Sequence, residues 1–108
     1  MKPPHPLRTL ALLTSLTLSG CVAIETLAPP VSFAMAGGAD TSTLEAGRRL
    51  YVGRCAACHS VDPVGSHSSA RWREIIEDMA GRTKLTPAEH DAVLAYVLAA
   101  RRVTPPRG

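Results

Sequence analysis

Apolar residues recur at helical spacing in the second half of the chain. Four of them fall at positions i, i+3, i+4 and i+7 and therefore share one face: Trp72, Ile75, Ile76 and Met79. Gly81 follows this stripe, and glycine is typical of the end of a helix. The pattern predicts a helix that begins at about residue 70 and has Gly81 near its end, and its apolar face needs another surface to cover it.

A second helix is predicted close behind it by a strong start signal. Thr86 is a good N-cap, Pro87 suits the first helical position, and Glu89 completes a capping box. The helix should run to about Arg102, where a pair of prolines soon prevents its continuation. Four side chains are expected on its inner face: Val93, Tyr96, Val97 and Ala100.

A further helix is predicted upstream of both. Ser42 and Glu45 have the spacing of a capping box, and residues 44–54 contain no helix breaker stronger than glycine. Gly47 lies on the same face as Tyr51, so another helix could approach closely at the glycine.

The fold class follows from these three elements, because no segment alternates like a strand. We expect an all-α domain over residues 42–102 and a disordered tail over residues 103–108. Only four of the 108 residues are aromatic, and three short helices bury too little surface to be stable alone. Something besides side chains is expected to fill the centre.

The N-terminus has the pattern of an export signal. Lys2 and Arg8 precede an apolar run at residues 10–18, which is shorter than the roughly 20 residues that a membrane-spanning helix needs. We therefore predict a signal peptide at residues 1–20 and a mature protein in the bacterial periplasm.

The signal peptide ends in a sequence that resembles the lipobox of bacterial lipoproteins. Residues 18–21 read Leu-Ser-Gly-Cys, and the resemblance implies that Cys21 becomes the lipid-modified first residue of the mature chain and anchors it to the membrane. Cleavage after the A-x-A triplet at residues 34–36 is the alternative and would release a soluble protein. Residues 22–41 contain two prolines and two glycines without a sustained period, which predicts a flexible linker.

Charge and cysteine content exclude two classes of protein. Two of the twelve Lys and Arg residues lie in the leader, which leaves ten against nine Asp and Glu, a net charge of +1. This balance is not that of a nucleic-acid-binding protein. The cysteines number three and cannot all pair within one chain, which disfavours a disulfide framework.

Two of these cysteines belong to the pentapeptide Cys55-Ala56-Ala57-Cys58-His59, which matches C-x-x-C-H, the attachment motif of c-type haem. Two thiols three positions apart on a helical turn can add to the two vinyl groups along one haem edge, and the histidine can then bind the iron. A thioredoxin-like motif would need a βαβ context, and a structural zinc site would need four ligands. Covalent attachment of one haem through Cys55 and Cys58, with His59 as an axial ligand, explains the motif best.

Around this motif, residues 44–102 resemble a compact monohaem cytochrome c of the Met/His type. Gly47 and Tyr51 match that family's Gly-x-x-x-aromatic helix contact, and Tyr96 matches the position where its C-terminal helix crosses the first helix. The resemblance implies a three-helix cytochrome c-like domain around one covalent haem. Residues 58–97 are also similar to haem subunits of periplasmic dehydrogenases, sulfite dehydrogenase among them.

The resemblance also implies a methionine as second axial iron ligand. Met79 is the only methionine after the leader and linker, so it is the expected ligand. Three alternatives stay open: His67 from a flexible loop, His90 from a polar and solvent-exposed helix face, or an open iron position.

We therefore expect a protein that transfers single electrons between a donor and an acceptor redox protein. No paired acid and base groups indicate a substrate pocket, so no independent enzymatic activity is expected. A haem subunit of a periplasmic dehydrogenase complex and a haem-based gas sensor are the alternative functions.

Overall fold

The computed structural model describes residues 24–57 and 60–105. These residues form five α-helices, one 3-10 turn and no β-strand, so the prediction of an all-α fold is confirmed. In chain order the elements are α1 (Ile24–Leu27), α2 (Phe33–Ala36), α3 (Thr41–Gly53), the 3-10 turn (Cys55–Ala57), α4 (Ser69–Thr83) and α5 (Pro87–Val103).

The core lies where α3 and α4 pack against α5. Its largest buried side chains come from all three helices: Leu44, Tyr51, Trp72, Ile76, Val93, Tyr96 and Val97. The predicted close approach at Gly47 is confirmed, because a Cβ atom there would overlap the Ala92 carbonyl and lie 2.8 Å from Cβ of Tyr96. Burial of these apolar faces, at about 25 cal/mol per Å², is the main force that holds the helices together.

The sequence signals locate the start of α5 correctly. The Thr86 hydroxyl accepts a hydrogen bond from the Glu89 amide at 3.2 Å, and the Glu89 carboxylate accepts one from the Thr86 amide at 3.0 Å. This reciprocal pair satisfies two donors that a helix start otherwise leaves free. The helix ends at Val103, one residue beyond the predicted end, so the first residue of the predicted tail is helical.

One predicted helix start is wrong. Asp40, and not Ser42, caps α3, because its carboxylate accepts hydrogen bonds from both the amide (3.0 Å) and the hydroxyl (2.7 Å) of Ser42. Gly81 lies near the end of α4, as predicted: the helix ends at Thr83, and Lys84 adopts a left-handed conformation with φ of 54°. The Leu85 amide then donates to the Ala80 carbonyl, which closes the helix without a glycine.

The predicted flexible linker over residues 22–41 is also wrong for the part that the structure describes. Residues 24–36, the N-terminal segment, form α1 and α2 and pack on the domain, and Thr41 already belongs to α3. Ala28 and Met35 are 0% and 1% exposed, as deeply buried as the core of the main helices. Helices of a single turn are too short to show a period in the sequence, which explains why the pattern was missed.

Side chains of the main helices hold the N-terminal segment by its backbone. The Arg48 guanidinium donates to the carbonyls of Ala28 and Pro29 at 3.1 and 3.2 Å, and the Tyr96 hydroxyl donates to Pro29 at 2.7 Å. Burial raises the pKa of Tyr96 to about 12, so its hydroxyl stays a donor at neutral pH. The Arg102 side chain reaches the Met35 carbonyl at 3.4 Å.

Replacing Met35 by alanine tests whether the N-terminal segment belongs to the folded domain. We expect Met35→Ala to lower the free energy of unfolding by about 2–4 kcal/mol, because truncation of a fully buried side chain leaves a cavity. Phe33→Ala in the same short helix is the control, since Phe33 is 95% exposed and its loss should change stability by less than roughly 0.5 kcal/mol. Equal urea midpoints for the two variants would contradict the packing of this segment.

Candidate functional site

An apolar cavity opens between α3, α4 and the start of α5. It measures about 440 Å³ including the space at its mouth. Most of its wall is formed by aliphatic and aromatic side chains: Val61, Trp72, Ile75, Ile76, Leu85 and Val93. The predicted stripe on α4 therefore faces this cavity.

Two sulfur-bearing side chains reach the cavity from different elements. Cys55 follows the end of α3 on the 3-10 turn and is buried, while Met79 comes from α4 and is partly buried. The structure thus brings together the first cysteine of the C-x-x-C-H motif and the predicted methionine ligand. Cys58 and His59, and also Cys21, lie outside the described residues.

The Cys55 thiol is in an environment that disfavours its charged form. Burial raises the pKa of this thiol, and the nearby Arg54 guanidinium offsets the effect only in part. A reactive redox cysteine needs a lowered pKa, because its deprotonated form, the thiolate, is the nucleophile. The surroundings of Cys55 therefore disfavour the thioredoxin-like alternative.

Tyr51 and Asp62 are the polar residues of the cavity wall. The Tyr51 hydroxyl donates a hydrogen bond to the backbone carbonyl of Asp62, and burial raises the pKa of this tyrosine far above its usual value. Its ring contacts Trp72 edge to face, with ring centroids 6.1 Å apart. These contacts fix the wall where the chain leaves the C-x-x-C-H motif.

The loop after the motif is held by side chains from two further helices. The indole of Trp72 donates to the Val64 carbonyl at 2.9 Å, and the Arg101 guanidinium donates to the His67 carbonyl at 2.6 Å. The Val64 amide donates in turn to Leu27 at 3.0 Å, which ties the loop to the N-terminal segment. Backbone carbonyls that are bonded in this way hold the loop in one conformation.

His67 is therefore not in the free loop that the sequence suggested. Its Nε2 lies 2.7 Å from a carboxylate oxygen of Asp62, and its ring contacts Trp72 edge to face at 5.0 Å. It lines a recess beside the cavity, which it shares with Asp62 and Met79, and is absent from the cavity wall itself. To bind a group in the cavity, His67 would have to leave these partners.

His90 is also more enclosed than expected. Its Nε2 lies 3.1 Å from Glu77 of α4 and its Nδ1 lies 3.0 Å from Asp91, so both ring nitrogens already have partners. Its side chain is 22% exposed and does not line the cavity. Among the candidate second ligands, Met79 alone has a place in the cavity wall.

The described residues contain neither a cluster of metal ligands nor a membrane-spanning helix. Within residues 24–57 and 60–105, no group of three or more His, Cys, Asp or Glu side chains is arranged to hold a metal ion. None of the helices in the same ranges has the length and hydropathy required to cross a membrane.

Sequence reasoning missed two features of the site. One is Asp62, whose backbone carbonyl accepts the hydrogen bond of the Tyr51 hydroxyl and whose carboxylate contacts His67. The other is the hydrogen bond from Arg101 to the His67 carbonyl, because a contact between residues 34 positions apart leaves no local pattern.

Comparisons with known proteins found no match for this chain among protein-family models, curated proteins or solved structures.

Proposed function

We propose that this chain is an exported c-type cytochrome that carries one covalent haem and transfers single electrons between periplasmic redox proteins. One observation carries the proposal: the C-x-x-C-H motif begins at Cys55 in the wall of an apolar cavity that also contains Met79. A motif match in the sequence and an apolar space beside it are independent signs of the same cofactor.

The chemistry of the cavity wall suits haem. Its walls are apolar on α4 and at the start of α5, as the faces of a porphyrin require. The thiols of Cys55 and Cys58 would add across the vinyl groups of the haem, and each new thioether bond keeps the group in place. When bound, the haem supplies an iron that accepts and releases one electron.

The chain offers two axial ligands of different character. His59 would donate an imidazole nitrogen next to the second thioether, and Met79 would donate a thioether sulfur from α4. Methionine and histidine together raise the reduction potential of haem iron relative to a second histidine. The apolar wall would also limit the access of water to the iron, and this would raise the reduction potential further.

Electron transfer agrees better with the cavity than catalysis does. Asp62 is the only carboxylate in its wall, and no histidine faces it among the described residues. A general acid and base pair would need two such groups within reach of one substrate. We therefore propose a carrier without enzymatic activity of its own, held at the membrane by a lipid on Cys21.

Absorption spectra of the full chain, produced in the periplasm with the haem-attachment machinery, test the proposal. We expect a c-type spectrum in the reduced protein that carbon monoxide does not change, because both axial positions are occupied. A carbon monoxide shift in the unmodified protein would favour a gas sensor. Stable co-purification of a catalytic subunit would favour the haem subunit of a dehydrogenase.

The cysteines provide matched controls for that experiment. We expect the double variant Cys55→Ala, Cys58→Ala to carry no haem that survives acid extraction, since both thioether bonds are lost. Cys21→Ala should keep the full haem content and lose its attachment to the membrane. Covalent haem in the double variant would contradict the proposed attachment.

A further inference from the structure

Large apolar side chains that face solvent are concentrated in the N-terminal segment and at the adjoining end of α5. Within the described residues they are Ile24, Phe33 and Val103, with exposures of 38%, 95% and 46%. Helix α2, which begins at Phe33, contacts α5, and Arg102 beside Val103 reaches the Met35 carbonyl. We refer to Phe33 and Val103, which belong to these two contacting helices, as the apolar face.

Phe33 is held in its exposed position by the structure around it. The Ser32 hydroxyl caps α2 by accepting from the Met35 amide at 3.1 Å, and Gly37 ends the helix in a left-handed conformation. Met35 and Ala36 turn into the core. The short helix therefore has one buried side and one exposed side. The exposed side carries Phe33, the largest apolar side chain of the segment, and almost all of its surface faces water, which is energetically unfavourable.

The rest of the chain joins the molecule at the start of the N-terminal segment. Residues 1–23 connect directly to Ile24, and Cys21 precedes Ile24 by three residues. Three residues span at most about 11 Å. If Cys21 carries the lipid, as the proposed function holds, the N-terminal segment is too close to the bilayer to leave its surface, because the segment is packed on the domain and cannot extend.

We propose that the apolar face docks on the surface of a lipid bilayer, with the Phe33 ring inserted among the lipids and Arg102 near the headgroups. An aromatic ring beside a cation suits the interface between anionic headgroups and acyl chains. The N-terminal segment contributes no residue to the haem cavity. Docking through the apolar face would therefore use none of the residues that line the cavity.

A fluorescent label at position 33 tests this docking in the full-length, haem-loaded protein. Phe33→Cys offers the only free thiol once lipid and haem have consumed the other cysteines, and it can carry an environment-sensitive dye. In vesicles of phosphatidylcholine and phosphatidylglycerol, we expect the emission to shift to shorter wavelength and to be quenched by nitroxide-bearing lipids. The same dye at Arg73→Cys, on an exposed position of α4, should show neither effect.

Three outcomes would overturn the proposal. A water-like emission at position 33 in vesicles would show that the face does not touch lipid. A blue shift that depends on protein concentration and not on lipid would assign the face to a second copy of the chain. A mature chain that begins at Gly37, detected by mass spectrometry, would show that the segment is removed. The haem spectrum of the same samples reports separately on the proposed cytochrome function.

Discussion

Met79→Ala is expected to open the haem iron to carbon monoxide and to lower its reduction potential. Met79 lines the cavity together with Cys55, and the side chains of His67 and His90 have other partners. Removal of the thioether would leave water or no ligand at that position, and loss of a soft sulfur ligand stabilises the oxidised iron. Absorption spectra of the reduced protein with and without carbon monoxide, and a redox titration, measure both effects.

Ile75→Ala is the matched control for the methionine variant. Ile75 lies on the same helix, lines the same cavity and is also partly buried, but it offers no donor atom. We expect Ile75→Ala to reduce the stability of the protein. Its reduced absorption spectrum should not change when carbon monoxide is added. If Met79→Ala stays inert to carbon monoxide while His67→Ala becomes reactive, the second ligand is His67 and the loop must rearrange to supply it.

Gly47→Ala is expected to lower the free energy of unfolding by about 3 kcal/mol or more, at or beyond the upper end of the usual cost of overpacking. The added Cβ would overlap the Ala92 carbonyl and lie 2.8 Å from Cβ of Tyr96, so the backbones of α3 and α5 would have to separate. Small domains have only a few kcal/mol of stability to lose. Urea unfolding followed by circular dichroism measures the change.

Gly53→Ala provides the control at the other end of the same helix. Nothing lies within 4 Å of a Cβ atom at this position, so the only effect should be the better helix propensity of alanine. We expect a gain of up to about 1 kcal/mol. A Gly47→Ala variant as stable as Gly53→Ala would mean that α3 and α5 do not meet as the structure shows.

The sequence predicted those parts of the fold that local patterns encode. The capping box at Thr86 and the apolar stripe on α4 were recognised because their signals lie within one or two helical turns. The contact at Gly47 was recognised because a glycine on the same helix face as Tyr51 lets a second helix approach closely. The stripe on α4 correctly indicated that Trp72 and Met79 face one space.

Other parts depend on contacts that the sequence does not reveal. The N-terminal segment was assigned to a linker because its prolines and glycines are typical of one, and its burial depends on Arg48 and Tyr96, which bind its carbonyls. Lys84 ends α4 in a conformation usually left to glycine. At the candidate site, Cys58 and His59 lie outside the described residues, so their roles stay predictions.

If the chain is exported, as proposed, the hydrogen bond from Tyr96 to Pro29 bears on the order in which the fold is completed. It joins residues 67 positions apart, and the N-terminal segment completes its packing only against α5, the last helix. A chain that crosses the membrane from its N-terminus therefore delivers the C-x-x-C-H motif before the helix that closes the fold. Contacts of such long range form late, because a large loop must close first. In the proposed cytochrome, the motif cysteines would belong to an open chain during that interval, and the haem-attachment machinery could reach them before α5 arrives.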